Sequence, residues 1–199
     1  MKKLSFIILI FLTIFGGLFI GAYFFPQKVS LFQKTSTTAT VASASIPAER
    51  KPSQPQTLTI QRLGVNAQIE SVAMDEKGNM DVPKQVMNVA WYNLGAKPGE
   101  RGNAVIAGHL DTVSGKPAVF YKLSSLEAGD TIMVTDAEKN SYTYTVVRKE
   151  NYPFDSFPLQ EVFGVSSKKR LNLITCEGSF DKTAKNYSHR TVVYAELSD

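Results

Sequence analysis

The chain has 199 residues, of which 43% are hydrophobic and 20% are charged, a composition that suits one globular domain with appendages and excludes a disordered or fibrous protein. Its formal net charge is +4, but residues 57–199 hold 16 of the 22 Lys and Arg residues and 17 of the 18 Asp and Glu residues. The positive excess therefore lies before residue 57, and a basic nucleic-acid surface on the folded part is not supported.

The N-terminal segment from Leu4 to Phe25 contains 22 residues without a charge. As a helix it would be about 33 Å long, which is enough to cross a bilayer core, so residues 1–25 are predicted to form a transmembrane anchor. A cleaved signal peptide is the alternative, but its apolar region is usually shorter, and the nearest Ala-x-Ala pattern, Ala42–Ala44, lies far downstream. Lys2 and Lys3 place the N-terminus in the cytoplasm and the rest of this single-pass membrane protein outside.

Residues 26–56 are rich in Ser, Thr, Ala, Pro and Gln and show no periodicity, which predicts a flexible linker with a span of about 30 Å. Residues 57–199 then form the predicted folded domain. Short alternating segments separated by Gly, Pro, Asn or Asp predict seven or eight strands, which favours an all-β, closed or nearly closed barrel. One or two short helices are expected, within 120–130 and 157–164. The predicted strands are TLTIQRL, AQIESVA, NAVIAGH, TIMVTD, YTYTVVRKEN, LNLITC and RTVVYAEL.

The lone cysteine, Cys176, ends the run LNLITC and cannot form a disulfide within the chain. It is either a small buried hydrophobic residue or a nucleophile. A free thiol is only a few per cent thiolate at pH 7, so a nucleophilic cysteine needs a basic or cationic neighbour.

The chain has two histidines, His109 and His189, each at the end of a predicted strand. Because side chains alternate along a strand, His189 points away from Arg190 if the strand has already begun there. If Arg190 faces Cys176, the histidine left to serve the thiol is His109. Acyl transfer then has a nucleophile, a group that protonates the leaving amine, and in Arg190 a fixed donor for the oxyanion.

Asp111, two residues after His109, is a candidate for orienting the imidazole, although a turn aspartate is the simpler interpretation. Other catalytic patterns are absent from the sequence: there is no G-x-S-x-G, H-E-x-x-H, P-loop or G-x-G-x-x-G. One cysteine and two histidines are also thin material for a structural zinc site, so no metal site is predicted.

Three segments resemble the sortases, membrane-anchored cysteine transpeptidases of Gram-positive cell surfaces. LITCEG is similar to their T-L-x-T-C strand, with Leu173, Thr175 and Cys176 matching and Asn172 in place of the first Thr. GNAVIAGHLDT resembles their histidine segment, and HRTVVYAEL their last strand with its essential arginine. The similarity extends from about Thr57 to Leu197, and GHLDT and LITCEGSFD look most like class F and the neighbouring classes D and E.

The resemblance implies an eight-stranded sortase barrel that cleaves an LPxTG-like sorting signal between Thr and Gly and forms a thioacyl enzyme at Cys176. It implies transfer of secreted surface proteins to an amine of peptidoglycan or its precursor, with Arg190 at the oxyanion and Thr175 positioning the signal. Within the active pair, thiolate and imidazolium would coexist while the neutral pair dominates.

Class A sortases often use calcium, but no ligand set can be matched here, so no cofactor is predicted. Two alternatives stay open from the residues alone. One is an anchored, non-catalytic β-barrel that binds a peptide or wall component, and the other is a cysteine peptidase that only hydrolyses its substrate.

Overall fold

The structure, a computed structural model, describes residues 51–198, which form eight strands with short helical segments between them. In chain order the strands are β1 (Pro55–Ile60), β2 (Val65–Val72), β3 (Val89–Tyr92), β4 (Gly102–Gly108), β5 (Thr131–Asp136), β6 (Ser141–Pro153), β7 (Lys169–Asp181) and β8 (Asn186–Leu197). The helical segments are α1 (Leu159–Phe163) and three 3-10 turns at Gln61–Leu63, Leu123–Ser125 and Phe154–Ser156.

The strands close into a barrel in the order β1-β2-β3-β4-β7-β8-β6-β5. Two neighbouring pairs, β2 with β3 and β4 with β7, run parallel, and the other pairs are antiparallel. The all-β class, the closed barrel and the eight strands expected from the resemblance are therefore confirmed. The two short helices are confirmed as well, because Leu123–Ser125 and α1 fall within the predicted windows.

Two strand boundaries differ from the prediction for physical reasons. Strand β3 was not predicted, because its four residues carry no alternation of their own and are strand only through pairing with β2 and β4. Strand β8 begins at Asn186, not at Arg190, because β7 runs on past Cys176 to Asp181 and gives those residues partners. His189 consequently lies inside β8 rather than at its start.

The inner core fills the barrel with alternate side chains from all of the strands. Phe120, Leu123 and Leu126, from the connection between β4 and β5, are fully buried and pack into the same cluster. Because every strand contributes to this cluster, the core fixes the register of the sheet and with it the level of residues on adjacent strands. Its strand members include Leu58, Ile60, Val89, Trp91, Ala104, Ile106, Ile132, Val134, Tyr144, Val146, Leu171, Leu173, Val193 and Ala195.

A second apolar cluster, the outer cluster, lies on the opposite face of β4, β7 and β8. The connection between β6 and β7, residues 154–168, packs over it with α1. The middle residues of these three strands, 103–106, 171–175 and 191–195, are thus buried whichever face they are on. The outer cluster consists of Val105, Val162, Ile174, Val192 and Tyr194, with Met80, Tyr92, Ala107, Tyr152, Phe157 and Phe163 packed against it.

Two buried asparagines fasten α1 to this outer face. The amide of Asn103 on β4 donates to the carbonyls of Glu161 and Gly164, at 3.2 and 2.8 Å. The amide of Asn172 on β7 donates to the Val162 carbonyl at 2.8 Å. Asn172 stands where the sortase motif has its first Thr, so this departure from the motif has a structural use: it anchors the segment that covers the outer cluster.

Within residues 51–198 no helix has the length and apolar composition needed to cross a bilayer. The predicted anchor in residues 1–25 lies outside the described residues, as does all of the predicted linker up to residue 50. The anchor, the linker and the domain boundary at residue 57 stay predictions.

Candidate active site

Cys176 lies on β7 and carries the only thiol of the chain, which is half-buried and free. It follows Ile174 of the outer cluster by two residues, so the strand alternation places it on the outer face of the barrel. The residue opposite Cys176 on β8 is Arg190. The expectation that Arg190 faces the cysteine is therefore confirmed at the level of strand pairing.

The Arg190 guanidinium is held by residues of its own strand. Nη1 donates to the carbonyls of Tyr187 and His189, at 3.2 and 2.8 Å, and Nη2 donates to Asn186 Oδ1 at 2.6 Å. Three of the five N–H groups of an arginine are thus engaged, which leaves two for another acceptor. A cation fixed in this way can donate to a developing oxyanion without first having to reorganise.

His109 comes directly after β4 and lies level with Cys176. Ala107 pairs with Ile174 in the parallel β4–β7 ladder, and His109 and Cys176 are the residues two positions further along each strand. The Thr175 hydroxyl donates to the Gly108 carbonyl at 2.9 Å, which ties the two strands together at this level. His109, Cys176 and Arg190 consequently form one row across three adjacent strands.

The backbone at His109 is fixed by Phe120. The Phe120 amide donates to the His109 carbonyl at 2.9 Å, and the Phe120 ring packs so closely on Gly108 that a Cβ there would meet it at 2.5 Å. The imidazole Nε2 lies 2.9 Å from the Pro83 carbonyl, a contact in which a protonated Nε2 donates. This tautomer leaves Nδ1 as the basic nitrogen of the ring.

The pKa of the Cys176 thiol is raised above its ordinary value. Burial is the largest cause, the charge of Asp111 raises the pKa further, and the charge of Arg190 lowers it. At neutral pH the resting thiol is protonated, which agrees with the neutral cysteine–histidine pair that the resemblance implies. A protonated thiol needs a base to take its proton before it can act as a nucleophile, and His109 is the predicted base.

Asp111 lies on the loop after His109, close enough for its charge to act on Cys176. Its Oδ2 accepts a hydrogen bond of 2.6 Å from the hydroxyl of Tyr187 on β8. This bond raises the pKa of Tyr187 to about 12, so the phenol stays a donor at any physiological pH. The role of Asp111 as an orienter of His109 stays a prediction, since the His109 Nε2 lies against Pro83.

Thr175 is 2% exposed, and its hydroxyl is engaged with Gly108. The hydrogen bond of Thr175 therefore links β7, which carries Cys176, to β4, which His109 follows. Its predicted role in binding the sorting signal stays a prediction.

Tyr187 and Asn186 were missed by the sequence analysis. Tyr187 meets Asp111 across 76 positions of chain, and no local spacing signals such a contact. The bond from Arg190 to Asn186 spans only four residues, but an asparagine near a hairpin turn is ordinarily explained by the turn.

A second arginine, Arg148 of β6, covers the far end of the outer cluster. Its guanidinium carbon lies 3.6 Å above the Tyr194 ring, and it forms ion pairs with Glu150 and Glu161. The hydroxyls of Tyr152 and Tyr194 lie 3.1 Å apart beside it. Arg148 therefore supports the cluster and α1, whereas Arg190 lies opposite the cysteine on the neighbouring strand.

No group of three or more His, Cys, Asp or Glu residues able to hold a metal ion occurs within residues 51–198. A surface cavity of about 270 Å³ lies between the start of β2 and residues 117–122. It is lined by none of the predicted site residues, so the chemistry described above is not located there.

The family model for the sortase domain matches residues 58–198 of this chain. No curated protein matches the sequence. Among solved structures, a Clostridium perfringens sortase D5 transpeptidase is 21% identical, with a TM-score of 0.55 over 73% of this chain and 79% of that one.

Sortase C-1 of Actinomyces oris is 19% identical, with a TM-score of 0.57 over 72% of this chain and 73% of that one. A lid mutant of Corynebacterium diphtheriae sortase A is 20% identical, with a TM-score of 0.56 over 77% and 74%. At these identities the structural likeness shows the shared fold, while the family model covers nearly the whole barrel.

Proposed function

Because this chain belongs to the sortase family, we propose that it is a cysteine transpeptidase that cleaves an LPxTG-like sorting signal between Thr and Gly and joins the new carboxyl end to a cell-wall amine. The observation that carries the proposal is the row of His109, Cys176 and Arg190 at one level of β4, β7 and β8. The row brings a nucleophile, a proton carrier and a fixed cationic donor to the same face of the barrel.

In the acylation step the Cys176 sulfur attacks the Thr carbonyl of the signal while His109 takes the thiol proton. The carbonyl oxygen becomes an oxyanion, and the two free N–H groups of Arg190 stabilise it. When the intermediate collapses, the C–N bond breaks and the leaving glycine amine receives the proton from His109. The products are a thioester at Cys176 and a free amine, so atoms and charges balance.

The apolar character of the outer cluster favours a substrate peptide with apolar residues before its cleavage site. Ile174 lies two residues before Cys176 on β7 and pairs with Val192, which lies two residues after Arg190 on β8. Both are on the same face as Cys176 and Arg190, and α1 packs over this side. Leu and Pro of an LPxTG-like signal are apolar, so their burial beside the cluster would contribute to binding. Exposed apolar residues of the β6–β7 connection, Leu159 at 67% and Val165 at 97%, supply further surface for such a peptide.

The remaining parts of the proposal concern location and partners. The uncharged segment Leu4 to Phe25 anchors the protein in the cell membrane, and residues 26–56 let the domain reach signals on the outer side. The substrates are secreted surface proteins with C-terminal LPxTG-like signals. Assignment to class F or to the neighbouring classes D and E rests on the segments GHLDT and LITCEGSFD.

The test uses the full-length protein in detergent with a set of fluorescent LPxTG-like peptides, with and without an added amine, followed by mass spectrometry. We expect cleavage between Thr and Gly, a thioacyl adduct on Cys176, and an amide product that appears only with the amine. Cleavage to the free acid alone would establish a hydrolytic peptidase. No cleavage of any peptide, together with an unreactive thiol, would refute the transpeptidase and favour the non-catalytic binding module.

A further inference from the structure

Asp111 stands out because its carboxylate opposes the chemistry expected of its neighbour. Its charge raises the pKa of Cys176, whereas the charge of Arg190 lowers it. A negative charge beside a thiol reduces the thiolate fraction and so slows the first attack. The half-buried carboxylate of Asp111 therefore does not assist that attack.

Within residues 51–198 Asp111 is bonded to an uncharged group and not to a cation. No Lys or Arg side chain of this part of the chain forms an ion pair with it, and its partner in the structure is the uncharged hydroxyl of Tyr187. This bond fixes Oδ2 and leaves Oδ1 available. A half-buried carboxylate with one oxygen free of protein partners can accept a hydrogen bond from a cation that arrives with a substrate.

Asp111 contacts the part of β8 that runs from Arg190 toward the β7–β8 hairpin. Going from Cys176 toward the β7–β8 hairpin, the neighbours are Tyr187, Asn186 and Phe180, while the apolar outer cluster lies in the other direction. Tyr187 is held in place by its ring, which packs 5.1 Å from that of Phe180, and by its carbonyl, which accepts from Arg190. The residue that orients Asp111 is thus also part of the Arg190 support.

Resting on the transpeptidase function proposed above, we propose that Asp111, oriented by Tyr187, binds the ammonium group of the acceptor amine beside the thioester at Cys176. Asp111 then selects acceptors that carry a positive charge and no carboxylate next to the amine. A carboxylate there would be repelled by Asp111, while an uncharged nucleophile would gain nothing from it.

The deacylation step balances with this acceptor. The ammonium first loses one proton, and His109, as neutral imidazole, is the base at the same level. The amine nitrogen then attacks the thioester carbonyl, the C–N bond forms and the C–S bond breaks. Of the three original N–H protons, one stays in the new amide, one goes to the Cys176 sulfur, and one is released to solvent through His109.

The experiment measures how the thioester of the full-length protein partitions between acceptor and water. The acyl donor is an intact LPxTG-like peptide that the wild-type protein cleaves. Glycinamide, mostly an ammonium at pH 7, is compared with hydroxylamine, which is uncharged at this pH, and with glycine, which carries a carboxylate. In Asp111→Asn, which keeps an oxygen for the Tyr187 hydroxyl, we expect the aminolysis-to-hydrolysis ratio to fall about tenfold for glycinamide. For hydroxylamine the ratio should stay unchanged, and discrimination against glycine should shrink.

The matched control is Glu177→Gln, which removes a carboxylate next in sequence to Cys176 whose Oε2 accepts from Thr191 rather than from Tyr187. This control should leave all three ratios as in the wild type. Tyr187→Phe, which frees Asp111 but keeps the ring, should lower the glycinamide ratio less than Asp111→Asn does.

Equal losses with glycinamide and hydroxylamine would overturn the proposal and make Asp111 a support of the loop. Unchanged ratios in Asp111→Asn would overturn it while the transpeptidase function stood. A wild-type protein that cleaves no signal peptide would overturn the proposed function and this inference with it.

Discussion

The two sides of Cys176 along β7 differ sharply in chemistry. On the side of Ile174 the outer face is apolar and is covered by α1. The buried amides of Asn103 and Asn172 hold α1 in this position. On the hairpin side, polar and charged groups meet, and their hydrogen bonds tie β8 to the loop after His109. One strand thus presents an apolar side and a polar side to a single thiol.

Removing the nucleophile should have the largest effect. Cys176→Ala should abolish cleavage of every LPxTG-like peptide, because no other thiol exists in the chain. His109→Ala should nearly do so, since the thiol pKa is raised and the attack needs a base. Peptide cleavage and the mass of the thioacyl adduct check both, and full activity in Cys176→Ala would refute the mechanism.

Arg190 should come next, and Arg148 offers a matched control on the other side of the thiol. Arg190→Ala should lower kcat by about 10² or more, because the fixed donor for the oxyanion is lost. Arg190→Lys should not restore it, since a lysine lacks the planar fork that Tyr187, His189 and Asn186 hold. Arg148→Ala should instead act through Tyr194 and α1 and raise KM more than it lowers kcat.

The apolar side can be loosened without touching the catalytic row. Asn172→Ala removes the donor to the Val162 carbonyl, which should destabilise the fold by about 1–2 kcal/mol and let α1 move. We expect KM for the signal peptide to rise several-fold, with a smaller change in kcat. Kinetics and thermal unfolding check this, with Asn66→Ala, an exposed asparagine of β2, as the control. A fall in kcat at constant KM would contradict it.

The sequence predicted some parts of the barrel and of the row formed by His109, Cys176 and Arg190, but not others. The alternation of TIMVTD predicts β5 with its observed bounds, and the turn residues around LNLITC and RTVVYAEL predict β7 and β8. Strand β3 could not be predicted, because it exists through pairing with strands that are distant in the chain. The same reason hides the bond between Tyr187 and Asp111, whereas His109, Cys176 and Arg190 could be proposed from chemistry and strand alternation.

The opposed effects of the Arg190 and Asp111 charges on the thiol can be measured through its ionisation. Alkylation by iodoacetamide follows the thiolate fraction, so a higher pKa moves its pH profile to higher pH. Arg190→Ala removes a charge that lowers the Cys176 pKa, and its profile should move to higher pH. Asp111→Asn removes a charge that raises this pKa, and its profile should move to lower pH. Shifts in the same direction for both variants would contradict the opposed charges.

The smallest effect is expected at His189, which tests whether the face of β8 decides its role. His189 pairs with Glu177, next to the Cys176–Arg190 pair, and its Nδ1 lies 2.8 Å from the Ser188 hydroxyl. Since neighbouring residues of a strand point to opposite faces, His189→Ala should change kcat and KM little while His109→Ala removes activity. The two alanine variants remove the same side chain, so each controls the other. A large loss in His189→Ala would mean that this imidazole serves the thiol, and the row across β4, β7 and β8 would need a different base.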